Sequence, residues 1–285
     1  MQSIDRQAQK RFPWLYYHLV QRTRFRKQFG DEKRLMAGDH FSSSPRKSVL
    51  FYTTQKCASV YISSLLARLA AAARMPHIHF DAYMTIMQVR GPEGPFDNPA
   101  IASRAFVPTG YYYGPVGSLR PYPNVEKYAT VLVLRDPRDV LTSLYFSTAY
   151  SHAIITEKLI RERQEALGMS IEDYVLANKD LYKKIYAGYC DTLLRQPGVL
   201  FLKYEDMVDD FPAWLMRLAA HVGLDDQAEV IAALIAEADF TVKKEDPYAH
   251  RRQAKPGDHR NKLGPETVAV LDETFEAILN QLNYS

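Results

Sequence analysis

The sequence predicts an α/β domain: a central, mostly parallel sheet flanked by helices. Short apolar runs rich in Val, Leu and Phe alternate with longer amphipathic stretches, the pattern of strands joined by helical crossovers. Several runs end at a charged or small-residue turn that leads directly into a helix-start signal. The chain has 285 residues, 47% hydrophobic and 24% charged, enough to bury a large core in one domain. No internal repeat or low-complexity tract breaks it.

Taken in order, residues 1–47 form a basic, aromatic N-terminal segment, read as helical and packed on the domain. It carries eleven Lys and Arg against four Asp and Glu, so the remaining residues sum to about −4 of the net +3. Arg22, Arg24, Arg26 and Lys27 follow Phe12, Trp14, Tyr16 and Tyr17. The alternative reading is an interfacial helix, or an arm that gathers an anionic acceptor. Residues 48–285 read as a single domain. Ser48–Thr53 is a strand, residues 54–61 turn the corner, and Ile62–Arg74 is a helix. Met75–Asp81 is expected as a short strand. Residues 88–128, rich in Gly, Pro and Tyr, are expected as an insertion whose tyrosines line an acceptor pocket or cover a sheet edge. Val131–Leu134 is a buried strand. Residues 170–195 are helical, 198–204 a strand, 211–222 and 227–238 amphipathic helices, and 265–282 a closing helix.

Two strand–turn–helix corners carry charges suited to phosphate. After Leu134 come Arg135, Asp136 and Pro137. Asp is a good N-cap, and Pro at the first helical position loses no needed N–H. Ser143 follows Arg135 by eight residues, on the early turns of the helix. A guanidinium and a hydroxyl so placed can clamp a phosphate. In the first corner, Thr54-Gln55-Lys56-Cys57-Ala58-Ser59-Val60-Tyr61, Ala58 and Ser59 are small enough for backbone N–H groups to approach an anion. Lys56 adds charge, Ser59 a hydroxyl and Tyr61 an aromatic face. The GxxxxGK[ST] pattern of an NTPase is absent.

Together the corners resemble the PAPS-dependent sulfotransferase family, with its P-loop-like fold. Residues 54–61 resemble its 5′-phosphosulfate loop, and Arg135-Asp136-Pro137-Arg138-Asp139 with Ser143 resembles its 3′-phosphate motif. Leu202-Lys203-Tyr204-Glu205-Asp206-Met207 is similar to a segment that follows a core strand in the family. Residues 252–261 are similar to its C-terminal Arg-Lys-Gly loop. The resemblance implies PAPS as sulfuryl donor, held by Lys56, Cys57, Ala58, Ser59, Val60, Tyr61, Arg135, Ser143, Tyr204, Phe240, Arg252, Gln253 and Ala254. Phe240 matches a family position that packs on adenine. Gln55, Ala58, Ser59-Val60 and Tyr61 depart from the usual Pro, Gly, Thr-Thr and Trp, and Gln253-Ala254 from Lys-Gly, but Lys56, Arg135, Ser143 and Arg252 are all present.

The implied reaction moves a sulfuryl group to a hydroxyl or amine by in-line displacement and releases adenosine 3′,5′-bisphosphate. Lys56 would steady the leaving phosphate. Many relatives draw their base from a Lys-x-His motif, and the comparable stretch here puts Phe106 where the His belongs. Other branches use a carboxylate some twenty residues after the anion loop, which points to Asp81 and His79, with His77 nearby. No Cys pair or HExxH accompanies these histidines, so no metal is expected. A catalytically silent nucleotide-binding protein is the main alternative, and an ATP-dependent kinase a lesser one. The acceptor is expected to be a small molecule, a glycan or a lipid headgroup, with no nucleic acid, and the oligomeric state is open. Cys57 and Cys190 make no disulfide framework. The best N-terminal apolar stretch, Phe12–Val20, is interrupted and far short of the ~20 residues that span a bilayer. The expectation is a cytoplasmic enzyme, with peripheral membrane contact through the basic segment.

Overall fold

The computed structural model describes residues 28–89, 91–117, 125–151, 157–242, 244–249 and 252–284. The aromatic and basic cluster from Phe12 to Lys27 lies outside them. Among the described residues the sheet comprises β1 (Val49–Thr53), β2 (His77–Ile78), β3 (Tyr112–Val116), β4 (Ala129–Leu134) and β5 (Val199–Lys203), in the order β2-β3-β1-β4-β5. Each of these pairings is parallel.

The apolar strand runs follow from coverage on both faces. Leu50 and Tyr52 of β1 and Leu132 and Leu134 of β4 enter one core with Tyr186, Tyr189 and Phe275. Those last three come from helices Ile171–Asp191 and Pro265–Leu282. The alternate residues Val49, Phe51, Val131 and Val133 face a second core. It holds Ile62 and Leu66 of helix Ser59–Ala72 and Trp214 of helix Phe211–His221. Period-two alternation thus distributes each strand between two helical layers. In the described part of the chain, no helix is long and apolar enough to cross a membrane.

Two stretches differ from the sequence reading. The strand expected over 75–81 is only His77–Ile78, and helix Phe80–Met87 starts almost at once. Phe80, Tyr83 and Met84 are buried at helical spacing, and Phe80 packs edge-on to Phe106 with centroids 5.0 Å apart. This burial outweighs the local strand signal. Second, residues 88–128 are more than an insertion, because they supply β3, which lies between β2 and β1. Tyr111, Tyr112 and Tyr113 are each 1% exposed or less. They are core residues, and Tyr112 donates to Ser63 Oγ (3.0 Å) while Tyr113 donates to the Ala105 carbonyl (3.1 Å).

Candidate functional site

A cavity of about 470 Å³ opens at the carboxyl ends of β1 and β4. The β1–helix corner forms one wall. Lys56 and Ala58 both take left-handed backbone angles, with φ of 66° and 56°. Such angles cost a residue with a Cβ on the order of 1 kcal/mol each. The helix begins at Ser59, three residues earlier than its apolar period suggests, so Ser59, Val60 and Tyr61 occupy its first turn, where N–H groups lack helical partners. Lys56, Ala58, Ser59, Val60 and Tyr61 all line the cavity. Cys57 does not. Its side chain is fully buried behind the loop, and burial pushes the thiol up to about 12. The side chain packs in the core behind the loop.

The β4 corner forms the opposite wall. Asp136 caps helix Pro137–Phe146 by accepting the Arg138 N–H at 2.9 Å. Its carboxylate and that of Asp272 hold the Arg138 guanidinium, which makes Arg138 a structural residue. Arg135 is 4% exposed, lies over the Tyr204 ring at 4.6 Å and donates to Asp139 at 3.3 Å. Its buried Nε has no hydrogen-bond partner among the described residues. The Tyr204 hydroxyl is committed to the Ala254 carbonyl at 2.6 Å, so Tyr204 offers the cavity its ring.

Ser143 lines the cavity as the sequence predicts, and Ser147 and Ser151 line it too. The helix passes at Phe146 into a π-helical stretch, Ser147–Ser151. The recurrence of Ser every four residues was the legible signal for this hydroxyl stripe, and the sequence reading missed it.

The C-terminal loop closes the site. Arg252 lies over the Phe146 ring at 4.0 Å and is paired with Glu245 and Asp258. Gln253 and Ala254 line the cavity, with the Gln253 side chain turned back to the Ala254 N–H. Tyr61 and Phe240 meet edge to face at 5.7 Å, and both present surface to the cavity. Burial, then Arg135, then Arg252 bring the Lys56 ammonium down to about 8. The three cations therefore share one space.

The expected bases lie apart from this cavity. Phe106 is 6% exposed and packed against Phe80, Phe96 and Tyr113. His79 precedes helix Phe80–Met87, its backbone N–H donates to Glu32, and burial brings its imidazole down to about 4. Asp81 accepts the Gly117 N–H at 2.6 Å, just beyond β3. Neither His79 nor Asp81 is among the described lining residues. Among the described residues, no three His, Cys, Asp or Glu side chains cluster as a metal site.

The sulfotransferase domain model matches residues 114–283. The chain belongs to the sulfotransferase domain family. Its fold is similar to that of mouse sulfotransferase SULT7A1 complexed with PAP, at 14% identity and a TM-score of 0.54 over 90% of this chain and 94% of that one. It is also similar to retinol dehydratase in complex with retinol and PAP, at 18% identity and 0.51 over 89% and 86%. No curated protein matches the sequence. Within this sulfotransferase domain the matched span takes in β4, Arg135, Ser143 and the C-terminal loop, and begins after the Lys56 corner.

Proposed function

We propose that this sulfotransferase uses PAPS as donor and transfers its sulfuryl group to an acceptor hydroxyl or amine. The observation that carries the reading is the convergence of Lys56, Arg135 and Arg252, with Ser143, on one cavity. Arg135 supports the fit further, because its buried Nε is left without a partner in a wall facing that cavity. In this reading Arg135, Ser143 and Arg252 hold the 3′-phosphate. Lys56, Ser59 and the first-turn N–H groups hold the 5′ side, and Tyr61 and Phe240 flank the base. The donor supplies an activated sulfuryl group. Lys56, already positioned and partly desolvated, stabilises charge growing on the departing phosphate oxygen without reorganising.

Proton removal from the acceptor is assigned to Asp81 in preference to His79. Burial, then Cys57, then the Asp81 carboxylate raise the pKa of the Tyr189 hydroxyl. The Tyr189 hydroxyl donates to the Thr53 carbonyl, where β1 enters the Lys56 loop. Cytoplasmic residence, with the basic N-terminal segment against a membrane, completes the proposal and is checked by cell fractionation with and without residues 1–27.

Calorimetric titration with adenosine 3′,5′-bisphosphate, against AMP and ATP, tests the site. Binding that requires the 3′-phosphate and disappears in Arg135→Ala supports it, and no preference over AMP refutes it. A second reading, nucleotide binding without transfer, draws on the buried Phe106 and on the distance of His79 and Asp81 from the cavity lining. Transfer from labelled PAPS that is lost in Asp81→Asn while bisphosphate binding persists would eliminate it.

A further inference from the structure

Helix Ile171–Asp191 sends two tyrosine hydroxyls to the two corners that bear the site's charges. Tyr186 and Tyr189 lie three residues apart, hence on one face of that helix, and both are fully buried. The Tyr186 hydroxyl donates to the Arg135 carbonyl at 2.5 Å, and the Tyr189 hydroxyl donates to the Thr53 carbonyl at 2.9 Å. Thr53 is the last residue of β1 and Arg135 the first beyond β4, and these strands pair side by side in the sheet. A buried carbonyl that has left the ladder at a strand end must find another partner. Here one helix supplies both partners. The Cys57 thiol, from the Lys56 loop, lies against the Tyr186 hydroxyl and the Arg135 backbone, so the two corners meet at this tyrosine. The Asp136 N–H, in the same peptide unit as the Arg135 carbonyl, donates to Glu205 at 3.0 Å. Both polar groups of that peptide are thus held by side chains from other elements.

Resting on the PAPS reading above, we infer that Tyr186 and Tyr189 are positioning residues that fix the distance between the 5′ and 3′ phosphate corners, and so favour a nucleotide phosphorylated at both positions. Neither tyrosine is among the described lining residues of the cavity. Their effect passes through Arg135 and through Lys56, three residues beyond Thr53. A nucleotide with one phosphate engages one corner and is indifferent to where the other lies. A bisphosphate is bivalent. Its second contact forms at high effective concentration only when the corners match the span of the ligand. Without the hydroxyls each corner keeps its charges, and Asp136 still caps its helix, but the spacing between the corners is no longer set by one element.

The test is calorimetric titration of the full chain with three probes: adenosine 3′,5′-bisphosphate, AMP and adenosine 3′-monophosphate. Tyr186→Phe and Tyr189→Phe each remove one hydroxyl and keep the buried ring. Each variant is expected to bind both monophosphates within about twofold of the parent, while its bisphosphate affinity falls about tenfold. A parallel loss for all three probes marks a general structural role and overturns the inference, as does an unchanged bisphosphate affinity. A bisphosphate loss matched by an equal loss for one monophosphate means that the hydroxyl serves one corner alone, and overturns it too. Should one variant fail to fold, the other decides by the same comparison, because the two hydroxyls act on opposite ends of one span. These outcomes leave the PAPS reading standing. A parent chain that does not prefer the bisphosphate over AMP overturns that reading, and this inference with it.

Discussion

Asp139 and His259, 120 positions apart in the chain, lie 2.7 Å apart between Oδ1 and Nδ1, both almost wholly buried. The same carboxylate accepts the backbone N–H of Gly257 and of His259, and a hydrogen bond from Arg135. One side chain thus fastens the C-terminal loop to the guanidinium proposed to hold the 3′-phosphate. Burial acts to raise its pKa, but His259 and Arg135 outweigh this and hold the carboxyl well below the usual range.

Asp139→Asn should therefore loosen Arg135 and the loop together. Breaking a buried charge pair costs on the order of 3 kcal/mol, which thermal unfolding will show as a lowered Tm. The sharper readout is the affinity ratio for adenosine 3′,5′-bisphosphate over AMP, expected to fall about tenfold, or ~1.4 kcal/mol. A general folding defect would leave that ratio alone, so an unchanged ratio contradicts the fastening role.

Lys56 gives the nucleotide site a pH dependence. Its ammonium loses its proton near pH 8 in the free protein, against an ordinary value of 10.5. A bound anion favours the charged form, so binding takes up a proton above that pH. Bisphosphate affinity should fall by up to about tenfold per pH unit above 8, and Lys56→Met should flatten the curve. Calorimetry from pH 7.5 to 9.5 decides it. A slope that survives the substitution assigns the titration elsewhere.

Glu205 ties stability to pH. Burial raises its carboxyl to about 7, against the Asp136 N–H it accepts at 3.0 Å and the nearby Arg135. The folded state then holds more protons than the unfolded chain between pH 4.5 and 7, so stability falls as pH rises through that window. The shift corresponds to about 3 kcal/mol at most. Glu205→Gln keeps the hydrogen bond and removes the titration. Urea unfolding at pH 5 and pH 8 should show the variant gaining on the parent only at the higher pH.

Gly110 sits at φ +96°, and a Cβ there would lie 2.6 Å from Ser42 Oγ and 2.9 Å from the Ser44 carbonyl. Both the left-handed backbone and the contact oppose a side chain. Gly110→Ala should destabilise the fold by roughly 2–4 kcal/mol, seen as a lower urea midpoint with little change in slope. A midpoint within error of the parent would mean that the 42–44 segment yields freely.

Bisphosphate specificity rests on Arg135. Arg135→Lys keeps a charge but loses the planar fork, and should retain AMP binding while losing most of the preference for the 3′-phosphorylated ligand, roughly tenfold to a hundredfold. Competition titration of the two nucleotides measures it directly.

What the sequence determined by itself was local. The strands read at 48–53, 131–134 and 198–204, the Asp136 cap with Pro137 behind it, and the Arg135–Ser143 spacing all depend on neighbours within a turn or two. Helix Pro265–Leu282 was legible to the residue from its apolar period. Tertiary structure decided the rest. It drew β3 from a stretch dominated by Gly, Pro and Tyr, because three adjacent tyrosines each find buried partners there. It cut the strand at Ile78 short, because Phe80, Tyr83 and Met84 pack better as a helix face. It withdrew the Cys57 side chain from the site it borders. It also set Asp139 against His259 and opened a second cavity beside Gln55, relationships between residues scores of positions apart. A periodicity is written in the chain within a few residues. A shared hydrogen bond or a cavity wall exists only after distant segments have packed, so those features could be read only from the folded molecule.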